Sequence, residues 1–247
     1  MAARASAALN KLGEVYLGQL SALVEPAHSA GAPVIGRLML SASRVLRTIN
    51  RVTSSRPVPL GNHLRDREMS WRLIEEENTQ LLGDKDAASL GRQLDGLLAE
   101  LASAFAGRSL PSAVETRIGP IRYGDYLRAH IIDLVALARF CGVQPEKDAE
   151  AEAVRALAGV LGERFPGQTI ELRVPPLAAV QVGAFGEGPT HTRGTPPNVI
   201  ETDPDTWLGL ATGTLSWEEA HRQHLLRVSG VHADQAKRML PVYRVIL

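Results

Sequence analysis

His130 and Asp133 lie three residues apart in the run YLRAHIIDLVALARF, which places them on roughly one face of a helix. An imidazole and a carboxylate so placed can share a divalent ion if a third donor approaches, and His63 is the candidate. The ordinary alternative is a core or surface histidine beside an acid. Glu201, Asp203 and Asp205 also invite a metal reading. Asp203 precedes Pro204, however, as a helix cap does, and Glu201 alternates with Ile200 as a strand residue would. Cys141 is the only cysteine, so neither a disulfide framework nor a cysteine zinc site is possible. Between Phe140 and Gly142 it reads as a packed thiol. Arg37, Arg44 and Arg51 recur every seven residues and share a helix face. A solvated face is the plain expectation, and phosphate or partner binding the sharper one.

The elements that must position these groups follow from periodicity. Residues 4–25 read as a helix through Leu9, Leu12, Tyr16, Leu20 and Leu23, broken by the Pro26–Pro33 stretch with Gly31. A second helix runs over 34–52, residues 64–82 are only weakly periodic, and 86–105 carries a leucine stripe. A loop over 107–120 then leads to the strongest helix of this half, Tyr123 to Cys141. Long amphipathic helices with few strands predict an antiparallel bundle over residues 1–143.

Beyond the linker at 142–147 the pattern changes. A helix over 148–165 precedes an alternating strand from Gln168 to Val174, ended by Pro175-Pro176, and a second strand from Leu177 to Val182. Residues 183–197 are rich in Gly, Pro and Thr and read as loop. A third strand over 198–202, a helix opened by Asp203-Pro204 and closed by Gly213, and a capping box at Ser216-Trp217-Glu218-Glu219 follow. A last strand at 225–228 and a closing helix at 234–240 complete a small α/β domain over 148–247. The fold class expected is therefore α+β.

Composition narrows the function. Lys plus Arg and Asp plus Glu balance at 27 each, so no overall field draws the chain to nucleic acid or an anionic membrane. No apolar run reaches the ~18–20 residues that span a bilayer, and no signal peptide is evident, so membrane insertion is not expected and the cytoplasm is the expected location.

The run GPTHTRGTPPNVIETDPDTWLGLATGTLSW, followed by RVSGVHAD, resembles the signature of a bacterial family related to sterol carrier proteins. Its members are commonly fused behind a DinB-like bundle similar to mycothiol-dependent maleylpyruvate isomerase. In metal-binding relatives a His on the second helix joins a Glu and a His four apart on the last bundle helix. The resemblance puts Asp133 at the Glu position and Leu137 at the second His, while the second helix, APVIGRLMLSASRVL, has no His. It also implies a C-terminal-domain Arg that holds a substrate carboxylate, for which Arg193 and Arg227 are candidates; a guanidinium suits that task through its bidentate fork. Arg193 could instead tie down its own loop. His191 could act as a base or anion partner, or simply bond Thr192 or Asp203.

The expected function is thus a non-catalytic or catalytically altered member of this family. It would bind a small ligand or partner in a cleft between the domains, lined by Arg193, His191 and Asp133. Two alternatives stand beside it: a mycothiol-dependent isomerase or transferase assisted by a divalent ion such as zinc, and a lipid carrier acting through the C-terminal domain. The apolar strand and helix faces of that domain read as plain core rather than a tunnel.

Overall fold

The computed structural model describes residues 2–106, 109–185 and 198–245. They form two compact units, one running to Ala149 and the other Glu150–Val245.

The N-terminal unit is a bundle of α1 (Ala2–Ala22), α2 (Val24–Ala30), α3 (Ala32–Thr48), α4 (Leu60–Met69), α5 (Trp71–Leu82), α6 (Ala87–Phe105) and α7 (Tyr123–Phe140). Its core is the expected stripes meeting: Tyr16 and Leu20 of α1, Ile35 and Leu38 of α3, Leu90 and Leu94 of α6, and Leu127 and Ile131 of α7 are all buried. The break after α1 is finer than the Pro26–Pro33 stretch suggested. Pro26 lies in the first turn of α2, where a missing N–H leaves no bond unmade. The chain turns instead at Gly31, whose φ of +93° an L side chain rarely adopts.

Residues 64–82, expected to be ambiguous, belong to two consecutive helices divided at Ser70. Asn78 and Leu82 of α5 come so close to α3 that a Cβ at Gly36 would meet the Asn78 Oδ1 at 2.5 Å.

The expected loop over 107–120 is corrected more substantially. Residues 113–122 form an antiparallel hairpin, β1 (Ala113–Thr116) and β2 (Gly119–Arg122), paired Thr116 to Gly119 at its tip. Four-residue strands give too little alternation to be read. Their register is fixed from outside: the Glu115 N–H donates to the Arg51 carbonyl at 2.7 Å, and Val52 and Val58 bridge Val114 and Ile121. The Thr116 hydroxyl closes the turn by donating to the Gly119 carbonyl at 2.7 Å.

In the C-terminal unit, after α8 (Lys147–Arg164), come β3 (Ile170–Val174), β4 (Ala178–Val182), β5 (Val199–Glu201), α9 (Pro204–Thr212), α10 (Trp217–Arg222) and β6 (Arg227–Ser229). The sheet order is β4-β3-β5-β6, with β3 and β5 parallel and the other pairs antiparallel. Residues 170, 172 and 174 are buried, as the alternation required. Asp203 caps α9 by accepting the Thr206 N–H at 2.9 Å, Gly213 ends it left-handed, and Ser216 caps α10 through the Glu219 N–H. The closing element, Ala233–Met239, is a 3-10 helix rather than the α-helix expected. Trp207, buried, donates its indole N–H to the Val154 carbonyl at 3.3 Å. No helix among the described residues is long and apolar enough to cross a membrane.

Candidate functional site

Of the seven-residue arginine repeat, Arg37 and Arg44 lie on α3 and do not form the solvated face expected of them, whereas Arg51 lies beyond the helix and is exposed. Arg37 and Arg44 turn onto α5, where Arg37 pairs with Glu75 and Arg44 pairs with Glu77. Their side chains are only 15% and 17% exposed, so these are half-desolvated contacts rather than surface decoration. The Arg44 Nε donates to Glu77 Oε2 at 3.0 Å and a terminal nitrogen donates to the same oxygen. The other carboxylate oxygen of Glu77 pairs with Arg117, in the turn of the β1–β2 hairpin.

A cavity of about 230 Å³ opens beside these groups, within the N-terminal unit. Five arginines line it, Arg44, Arg47, Arg51, Arg67 and Arg117, against the lone carboxylate of Glu77. Ile74, Leu73 and Ile118 supply an apolar wall, and His63 and Tyr126 complete it. Arg67, on α4 and nearly buried, forms an ion pair with Asp133 of α7.

The positive field leaves its mark on the titratable groups. Burial, then the Arg67 charge, lowers the Arg44 guanidinium to about 10. Burial, with Arg67 adding to it, lowers His63 to about 3, so it is neutral at ordinary pH. His63 is 1% exposed, and neither ring nitrogen has a hydrogen-bond partner. A buried polar group left unpaired is unusual enough to require a reason.

Behind the cavity runs a polar chain. The Tyr16 and Ser41 hydroxyls lie 3.1 Å apart, Ser41 is 2.9 Å from His130 Nδ1, and the Thr48 hydroxyl donates to the Tyr126 hydroxyl at 3.3 Å. The Tyr126 ring meets His130 edge-on at 4.7 Å between centroids and His63 at 5.9 Å. Burial, then the charges of Arg67 and Arg44, holds His130 well below the usual imidazole range.

The residues singled out from sequence therefore separate. Asp133 reaches the edge of the cavity through Arg67, and His63 lines it. His130 is a core residue bonded to Ser41, and Leu137 is packed at 3% exposure. Arg227 stands elsewhere, on β6, with an exposed side chain paired to Glu201 at 3.3 Å. His191 and Arg193 lie outside the described residues. Among the described residues no three His, Cys, Asp or Glu side chains are spaced to hold a metal ion. Cys141 is half-buried, and burial pushes its thiol pKa up, as suits a packed thiol rather than a nucleophile. Arg67, Arg117 and Glu77 were missed, whereas Arg44 was marked by its spacing from Arg37 and Arg51. The spacing of Arg37, Arg44 and Arg51 was the one signal toward them, because an arginine face opposite the acidic run Glu75–Glu77 forecasts pairing.

Comparison with known proteins fits the two-part organisation. Residues 146–242 match the family described as bacterial SCP ortholog. The C-terminal unit carries that domain. Two solved structures are similar over most of the chain. One is a histidine-to-alanine mutant of the mycothiol-dependent maleylpyruvate isomerase, with 13% identity, TM-score 0.57 and coverage of 91% of this chain and 92% of that one. The other is the same isomerase unmutated, with 16% identity, TM-score 0.51 and coverage of 85% and 88%. At such identity the likeness establishes the fold alone, which this chain shares. No curated protein sequence matches the chain significantly.

Proposed function

We propose that the bundle of this protein binds a small anionic molecule, with a guanidinium–carboxylate pair standing where the family resemblance implies a divalent ion. The Arg67–Asp133 ion pair carries this reading. A carboxylate already engaged by a fixed positive charge is a poor ligand for a second cation, because the two positive charges repel in a partly desolvated site. The nearby donors fit an ion no better. Leu137 is hydrocarbon, and the Ser41 hydroxyl is committed to Tyr16 and His130. The residues present do not suit the metal, and no step of an isomerase reaction is derived through it.

An excess of arginines around a small cavity suits an anion instead. Guanidinium presents paired N–H donors that match carboxylate and phosphate oxygens, and it stays charged when partly buried. The volume lies below the ~300–1,000 Å³ of drug-sized sites, so the ligand is small. The C-terminal domain keeps its own separate core.

The test is thermal unfolding of the full chain in benzoate and in inorganic phosphate, each matched in ionic strength with chloride. A saturable rise in melting temperature is expected, and Arg44→Met should abolish it. If no anion stabilises the protein beyond chloride, the reading fails.

A further inference from the structure

Glu77 occupies the cavity in a way that identifies its ligand. Its two oxygens are divided between Arg44 and Arg117, which approach from α3 and from the hairpin turn. The carboxylate thus sits as an anion would, held by two guanidiniums that converge on one point. Resting on the anion-binding reading above, we infer that Glu77 is an internal stand-in for a small organic phosphomonoester, whose dianionic head displaces it from Arg44 and Arg117.

Charge selects the class. Asp133 already balances Arg67, so Arg44 and Arg117 share the single negative charge of Glu77, and Arg47 and Arg51 stand exposed at the rim. A monocarboxylate entering would replace one charge by one and gain little. A phosphomonoester near neutral pH brings ≈ −1.5 to −2 charges and three acceptor oxygens on one atom. A dicarboxylate carries the same charge on two separated groups, which does not match two guanidiniums gathered on one carboxylate. The Leu73, Ile74 and Ile118 wall gives the organic part an apolar seat.

His63 forms part of the wall of the same cavity. Burial, with Arg67 beside it, keeps its ring neutral, so it adds no charge to the arginine excess.

Calorimetric titration of the full chain at low ionic strength and pH 7.5, with phenyl phosphate and with benzoate as probes, tests the inference. Phenyl phosphate is expected to bind at least about tenfold more tightly than benzoate, since each 1.4 kcal/mol is tenfold. The preference should shrink toward pH 5.5, where the phosphate becomes a monoanion. Glu77→Gln should tighten phenyl phosphate binding by about tenfold, because the competing charge is gone. Arg117→Met, at a largely exposed position that leaves the core intact, should weaken it by a similar factor, so the inference does not hang on Glu77→Gln folding. Equal affinity for benzoate and phenyl phosphate would overturn the phosphate assignment while leaving anion binding standing. No binding of either probe would end both. Weaker phenyl phosphate binding by a folded Glu77→Gln protein would remove Glu77 from the stand-in role. Binding to phosphatidic acid vesicles but not to phenyl phosphate would overturn the small-ligand form.

Discussion

Arg67 of α4 donates to the Asp133 carboxylate of α7, joining two helices at the edge of the arginine-lined cavity. The guanidinium is 8% exposed and the carboxylate 25%, so each depends on the other for the solvation it has lost. Arg67→Met should lower unfolding free energy by about 2–4 kcal/mol, because a poorly hydrated carboxylate is left behind. Adding Asp133→Leu should recover most of that loss. Urea unfolding of the single and double variants measures both, and additive losses would show that the two side chains do not act as a pair.

His63 makes stability depend on acid. The unfolded chain takes up its proton near pH ~6.5, whereas the folded protein does so only near about 3. Between these values the unfolded state holds the extra proton. The contribution of neutral His63 is therefore complete above the unfolded pKa and is lost as pH falls toward the folded one. The slope reaches about 1.4 kcal/mol per pH unit for one such group. His63→Gln should flatten the stability curve between pH 6 and 4 (a span read from those two pKa values, ~6.5 and ~3). An unchanged slope would show that His63 is not held neutral. His130, shifted in the same direction, remains in that variant, so flattening should be partial.

Gly36 marks the closest approach of α3 to α5. A methyl there would press on the Asn78 Oδ1 at 2.5 Å and the Leu82 Cδ2 at 2.8 Å. Gly36→Ala gains helix propensity worth about 1 kcal/mol. The displacement of α5, which carries Glu75 and Glu77, should outweigh it by about 1–2 kcal/mol net, in line with other overpacking substitutions. Thermal unfolding reads the sign, and a stabilised variant would mean that Asn78 and Leu82 move aside freely.

In the C-terminal unit, Asp203 accepts from both the Thr206 N–H and the Thr206 hydroxyl, at 2.9 and 2.8 Å. Asp203→Ala should cost about 1–2 kcal/mol, and Asp203→Asn much less, since the amide oxygen can still accept the N–H. Intrinsic fluorescence of buried Trp207, on the helix so capped, can follow the unfolding. Equal losses for the two variants would point to the charge rather than the cap.

Legibility in the sequence followed the range of the interactions. The stripes of α1, α3, α6 and α7, the alternation of β3 and the caps at Asp203 and Ser216 are local features, and their residues alone disclosed them. The β1–β2 hairpin was hidden because its strands take their register from Arg51, Val52 and Val58, far away in the chain. The arginine cavity was hidden for a similar reason. Arg44, Arg67 and Arg117 come from two helices and a turn, and each looks like an ordinary surface cation until the fold brings them together. His63 and Asp133 were noticed as metal donors, and both prove to stand beside Arg67, whose charge alters what each can do.

The exchange of a metal ion for the Arg67 guanidinium is tested most directly by measuring zinc. Protein purified without chelators, equilibrated with zinc and freed of excess, should contain well under one ion per chain by elemental analysis. Its zinc content should not rise with pH as His63 and His130 are already neutral. About one tightly held ion per chain, lost on substitution of Asp133, would contradict the exchange.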